Sequence, residues 1–205
     1  MIVVIDYGGG NLFSILKALK FLRIRNIISS NPNDWEKGKA LIFPGQGSFS
    51  QAIEYLKKEN KINILRQLIK EKPYLGICLG MQILFEESEE AREEKGFCLL
   101  KGKVLKMKAR KLPHLGWNQV KIIKPSILFR DIPDNSFFYF VHSFYTSPID
   151  KNIIVGETYY EDVFPSVIEK ENIFGVQFHP EKSSFLGLKL LKNFVEFAYD
   201  NTSSY

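Results

Sequence analysis

The stretch Tyr74-Leu-Gly-Ile-Cys-Leu-Gly-Met-Gln-Ile-Leu-Phe85 decides how the rest of the chain is read. It begins as an apolar run with β character over 74–77 and ends in a helical pattern over 81–85. Between them, Gly76-Ile77-Cys78-Leu79-Gly80 has the G-x-nucleophile-x-G form of a strand-to-helix elbow. A side chain held on so sharp a turn needs neighbours without a Cβ, because the turn presses against the adjacent strand and helix. The elbow puts Cys78 at a helix N-terminus, whose dipole and free N–H groups favour negative charge. The same groups can stabilise an oxyanion forming on a substrate carbonyl. The alternative for Cys78 is a buried structural cysteine at a strand end.

Upstream of the elbow, strands alternate with helices. Strands are expected over 2–5, 26–29 and 40–43. Helices are expected over 12–22 (with Asn11 as N-cap), from 48 to 56 and from 62 to 70. This alternation predicts an α/β fold with a mainly parallel central sheet flanked by helices. Glycine-bearing turns at 8–10, 45–47 and 76–80 then fall at strand C-termini, where ligand sites of parallel sheets lie. The first turn, Asp6-Tyr-Gly-Gly-Gly-Asn11, lacks the third glycine of a G-x-G-x-x-G fingerprint, which excludes a Rossmann cofactor site. Downstream, 86–95 reads as a solvated helix end or loop. Short strands over 102–107, 119–123, 137–141, 153–159, 163–168 and 173–178 predict antiparallel additions in the C-terminal half. A helix over 184–199 follows, and 200–205 reads as a frayed tail. No linker interrupts the chain, so 1–205 is expected to be one domain.

Composition sets the class. With 205 residues, 45% hydrophobic and 25% charged, the chain can bury a sizeable core. The net charge of +5 is spread along it, and the Lys-rich run 101–111 alternates with apolar residues as a solvated strand face does, without a nucleic-acid motif. The first residues, Met1-Ile-Val-Val-Ile-Asp6, are too short an apolar run for a signal peptide and carry no basic leader. No stretch reaches membrane-spanning length. Two cysteines form no disulfide framework and suit a reducing, cytoplasmic location. Cys98 is expected to be a buried or half-buried residue without a chemical role.

A cysteine nucleophile needs a base. Of His114, His142 and His179, the last lies in Phe174-Gly-Val-Gln-Phe-His-Pro-Glu181. Residues two apart in an extended chain point the same way, so the Glu181 carboxylate is placed to orient the His179 ring. His114 is expected to be a core histidine only.

Gly-Ile-Cys-Leu-Gly-Met-Gln together with Gly-Val-Gln-Phe-His-Pro-Glu resembles the double signature of the class I (triad-type) glutamine amidotransferases. Asp6–Asn11, the Pro44-Gly-Gln-Gly47 turn, Pro113-His-Leu-Gly-Trp-Asn118 and Tyr139-Phe-Val-His-Ser143 make the chain similar, within that family, to the glutaminase subunits of imidazole glycerol phosphate synthases. The resemblance runs from Met1 to about Ala198. It implies a hydrolysis of L-glutamine to glutamate and ammonia, with Cys78 as nucleophile, His179 as base and Glu181 orienting it. It implies an oxyanion hole from the backbone at Leu79 and at Gln46 or Gly47, and glutamine contacts from Gly45, Gln82, Ser143 and Phe144. No cofactor, metal, nucleic acid or membrane is implied. Ammonia would pass to a (β/α)8 cyclase subunit in a heterodimer, and Asn11, Trp117, Tyr139 and His142 are candidates for that face. For Trp117, Tyr139 and His142 the alternative is ordinary core packing. The family's oxyanion turn is usually Pro-Gly-Val-Gly, and this chain departs from it at Gln46.

The nucleophile motifs do not separate this reading from a paralogue feeding a surface-sugar amidating synthase. The opening turn and Gly-Trp-Asn disfavour glutaminases for anthranilate, guanylate or carbamoyl phosphate synthesis. His-Pro-Glu disfavours a cysteine peptidase. A non-catalytic regulatory binder is the reading from another class, and the complete Cys78, His179 and Glu181 set weighs against it.

Overall fold

The computed structural model describes residues 1–9 and 12–200. Asn11, expected to cap the first helix and to face a partner, lies outside the described residues, as does the tail 201–205. In chain order the elements are β1 (Ile2–Ile5), α1 (Phe13–Phe21), β2 (Asn26–Ser29), α2 (Pro32–Lys37), β3 (Ala40–Phe43), α3 (Phe49–Lys58), α4 (Ile62–Glu71), β4 (Tyr74–Ile77) and α5 (Leu79–Gln82). They continue as β5 (Glu87–Ser88), β6 (Gly102–Lys106), β7 (His114–Ile122), β8 (Ser136–His142), β9 (Phe144–Pro148), β10 (Ile154–Tyr160), β11 (Asp162–Lys170), β12 (Ile173–Val176) and α6 (Ser184–Asp200).

The short strands β1, β3, β4 and β12 are buried throughout, as strands covered on both faces must be. Their period of two sorts side chains between two cores. Ile2, Val4, Ile42, Leu75 and Ile77 pack with Ile15 and Leu19 of α1 and Leu190 and Phe194 of α6. Val3, Ile5, Leu41, Phe43 and Tyr74 pack with Trp35, Ile53, Leu56 and Leu65 from the helices of the other face. α2 was not legible as a helix from hydrophobic period. Asn31 caps it by accepting from Asn33 N at 3.0 Å, Pro32 opens it, and the indole of its buried Trp35 donates to Ser29 O at 2.8 Å.

Among the described residues the sheet order is β2-β1-β3-β4-β12-β11-β10-β7-β8, parallel from β2 to β12 and antiparallel beyond it. Two details differ from the sequence expectation. β12 runs parallel to β4, in register Gly175↔Gly76 and Val176↔Ile77, and is not an antiparallel addition. β6 leaves the main sheet and pairs with β5 and β9 in a second sheet of three strands. Alternation along one strand reveals its buried face but not its partner, so sequence pattern alone could not decide either point. The parallel pairing matters for function, because it brings the C-terminal ends of β4 and β12 to the same edge.

The helix expected over 81–85 is also shorter, ending at Gln82. Residues 97–100 compete for its carbonyls. Phe97 N donates to Ile83 O at 2.6 Å, Cys98 N to Phe85 O at 3.3 Å and Leu99 N to Leu84 O at 2.9 Å. Among the described residues no helix is long and apolar enough to cross a membrane.

Candidate functional site

The elbow has the tightness its glycines foreshadow. A Cβ on Gly76 would sit 2.3 Å from Gly80 O, and one on Gly80 would sit 2.4 Å from Phe43 O. The Tyr74 hydroxyl donates to Gly80 O at 2.7 Å, which ties strand to turn. Cys78 takes φ 47° and ψ −101°, a conformation L-residues rarely adopt, and its amide donates to Val176 O at 2.6 Å. β12 therefore holds the Cys78 backbone directly and then runs on through Gln177 and Phe178 to His179.

His179 is 1% exposed, and its Nδ1 lies 2.8 Å from Glu181 Oε1. The route to that contact differs from the expected one. Residues 180–182 form a 3-10 turn, with Lys182 N donating to His179 O at 3.0 Å, so the carboxylate folds back instead of lying along an extended chain. β8 clamps the segment: His179 N donates to Tyr139 O at 2.8 Å, Ser183 Oγ donates to His179 O at 2.7 Å, and Tyr139 N donates to Ser183 Oγ at 2.9 Å. Burial works against a charged ring at His179, but hydrogen bonding to the Cys78 side chain and to Glu181 outweighs it and raises the pKa to about 10. With Nδ1 taken by Glu181, Nε2 is the nitrogen left for the sulfur.

These groups open on a cavity of about 400 Å³, a size that suits a small metabolite. The sequence-predicted residues Gly45, Gln46, Gly47, Leu79, Gln82, Ser143 and Phe144 all line it with Cys78 and His179. His142 lines it too, as a buried side chain rather than part of an outer face. Trp117 is 52% exposed and packs edge-on against half-buried Tyr139, its direct partner in the β7–β8 register. Other residues there were not singled out from the sequence. Gln177, buried completely, donates from Nε2 to Cys78 Sγ at 3.3 Å, and its signal was a polar residue inside an apolar run. Glu90 lines the cavity while accepting from Phe49 N at 3.1 Å, and the charged segment 86–95 gave no sign of it. Lys182 lies at the rim, with its ammonium 6.0 Å from the Tyr139 ring centre.

His114 is a buried core histidine, as expected, and it is hydrogen-bonded. It stands directly opposite His142 in the register, and the two rings join through His114 Nδ1 and His142 Nε2 at 3.0 Å. Phe144 O can only accept, so His142 Nδ1 carries the proton at 2.8 Å, which leaves its Nε2 to accept from His114 and His114 Nε2 to accept from Asn118 Nδ2. Every link in this chain needs neutral rings. Burial lowers His142 to about 3, with Phe144 O opposing and His114 and His179 adding to the shift, and burial lowers His114 to about 4. The stability that follows is fully present above the ordinary histidine pKa of about 6.5 and is lost as pH falls toward 4 and then 3. The urea midpoint is therefore expected to fall below pH 6.5, with His142 contributing about 1.4 kcal/mol per pH unit. His142→Gln should flatten that slope, and a midpoint constant from pH 6.5 to 5 would refute the neutral pair.

Cys98 is exposed, not buried or half-buried as expected. It sits at φ 50° on the turn leaving Gly96, which carries its side chain outward. Cys98→Ser is expected to leave glutamate release within about twofold, measured as turnover.

Residues 3–197 match the family model "Glutamine amidotransferase class-I". The chain is 52% identical over 197 residues to imidazole glycerol phosphate synthase subunit HisH of Methanocaldococcus jannaschii, covering 96% of this chain and 99% of that one. It is 48% identical over 194 residues to the protein of the same name from Pyrococcus furiosus, covering 94% and 97%. A solved glutamine amidotransferase superposes with a TM-score of 0.78 at 18% identity, covering 97% of this chain and 100% of its own. A putative GMP synthase component from Thermoplasma acidophilum gives a TM-score of 0.75 at 18% identity, covering 98% and 95%, a likeness of fold alone. With the family model spanning nearly all of its length, the chain belongs to the class I glutamine amidotransferases.

Proposed function

We propose that this chain is the glutaminase subunit of an imidazole glycerol phosphate synthase, serving histidine biosynthesis. The observation that carries the reading is the meeting of Cys78 and His179 at one wall of the cavity, with Glu181 holding the His179 ring from behind it. Relatives 52% and 48% identical that bear the name of that synthase subunit support the pathway.

With its pKa raised, His179 already holds the thiol proton, and the Cys78 sulfur attacks the side-chain amide carbon of glutamine as the thiolate. The oxyanion that forms is stabilised by backbone N–H groups at Leu79 and at the Gln46–Gly47 turn. His179 returns the proton to the amide nitrogen, the carbon–nitrogen bond breaks, and ammonia leaves a γ-glutamyl thioester. Water attacks the thioester, giving its proton to His179, and the thiol and glutamate are released. Gln82, Ser143 and Phe144 hold the substrate, and the Glu90 carboxylate matches its α-ammonium. Glu181 keeps Nδ1 protonated and the ring aligned, without touching the reacting carbon. Glu181→Gln is therefore expected to lower kcat, but by less than loss of the nucleophile does, in a steady-state assay.

Ammonia then passes to a separate cyclase subunit of the (β/α)8 type, in a heterodimer. The exposed Trp117 and its neighbour Tyr139 suit a partner face, and Tyr139 already grips the His179 segment. The test is glutamate release by the purified chain, alone and with an imidazole-branch cyclase subunit plus its nucleotide, with Cys78→Ala as control. Strong stimulation is the expected result. Cys78-dependent release that ignores the cyclase would point to another synthase, the sugar-amidating kind first. No Cys78-dependent release in either mixture would leave a regulatory binder.

A further inference from the structure

Gln177 occupies a position that packing does not explain. It lies between Val176 and Phe178, all three 0% exposed. Burying an amide there without partners costs about 1–3 kcal/mol, a penalty a methionine of similar size would escape. Both ends of the amide are instead engaged. Nε2 donates to Cys78 Sγ at 3.3 Å, and Oε1 accepts from Gln82 Nε2 at 3.2 Å. Gln82 Nε2 also donates to Phe144 O at 3.0 Å.

The chain of contacts has a direction. The sulfur faces the amide N–H of Gln177, which turns Gln177 Oε1 toward Gln82. Gln82 then meets two acceptors, Gln177 Oε1 and Phe144 O, which take both hydrogens of its amide nitrogen. Its own Oε1 is left to accept from a ligand in the cavity that it lines. The backbone of Gln177 is fixed as well, since its N–H donates to Ser166 O at 2.9 Å on β11. The nucleophile and the substrate-facing amide are thus linked by one rigid, buried side chain.

We propose that Gln177 is a positioning residue of the glutaminase reaction: it holds the Cys78 sulfur by N–H donation and sets the orientation in which Gln82 meets glutamine. The inference rests on Cys78 being the nucleophile. Glutamate release is measured with the full chain and the cyclase complex across a pH series, for Gln177→Met, Gln177→Glu and Cys78→Ala. Gln177→Met loses both contacts, so kcat should fall about tenfold or more and KM should rise. In Gln177→Glu a protonated carboxyl can still donate to the sulfur and an ionised one cannot. Its kcat should approach the wild-type value at the acid end and fall about tenfold as pH rises, a limb the wild type lacks. The near-isosteric Glu variant carries the test should Met disturb folding. Wild-type kcat and KM in Gln177→Met, with Cys78→Ala inactive, would overturn the proposal and keep the nucleophile. Equal losses in both variants with a wild-type pH profile would reduce Gln177 to packing and also overturn it. Activity surviving in Cys78→Ala would instead remove the nucleophile assignment beneath it.

Discussion

Cys78→Ala is expected to lower glutamate release by at least about 10⁴-fold, because no other group in the cavity can form the thioester. The stability of this variant should change by only about 1 kcal/mol, since one buried sulfur is lost and the Gln177 amide loses its acceptor. A second substitution separates chemistry from backbone strain. At φ 47° and ψ −101°, Cys78 holds a conformation that costs a side-chain-bearing residue about 1–3 kcal/mol. Alanine keeps that strain. Glycine removes it and adds about 0.5–1 kcal/mol of unfolded-state entropy. Cys78→Gly should therefore be as inactive as Cys78→Ala but more stable by about 1 kcal/mol, read from urea midpoints. A less stable glycine variant would show that the elbow is not strained at Cys78.

The same residues explain what could and could not be read from the chain beforehand. Strands β1, β3 and β4 were legible to the residue because each is a short, fully buried, mainly apolar run, and β2 because two isoleucines mark its centre. Cys78, His179 and the turn at 45–47 were legible because a nucleophile elbow and a strand-end histidine need particular residues in sequence. Strand partners were not. The parallel pairing of β12 with β4 and the separate sheet holding β6 depend on contacts between distant segments. The site residues that were missed share that cause. Ser183 matters only because Tyr139 crosses over it, and Glu90 only because its loop returns to the start of α3. The pairing of His114 with His142 was not legible because it lies across a strand pair, where registry rather than sequence spacing sets the contact.

Gly45→Ala is expected to disable the site through geometry alone, without touching a catalytic atom's identity. A Cβ on Gly45 would stand 2.7 Å from Ile77 O, 2.8 Å from Cys78 Cβ and 3.0 Å from His179 Cε1. None of the three can move cheaply. Ile77 O belongs to a central strand buried on both faces, and Cys78 N is tied to Val176 O. The His179 ring is held by Glu181, and its backbone by Tyr139 and Ser183. The methyl group must therefore push the sulfur and the imidazole apart or displace the 45–47 turn, which would supply one side of the oxyanion hole. Displacements on the order of 1 Å in such an arrangement lower turnover about 100-fold. Overpacking of this size also costs about 1–3 kcal/mol of stability. Glutamate release should fall about 100-fold or more at saturating glutamine, with a smaller effect on KM, while the urea midpoint drops but a cooperative transition remains. Near-normal kcat in a folded Gly45→Ala protein would mean that the turn yields without disturbing Cys78 and His179, and the close fit between turn and dyad would then have no part in the chemistry.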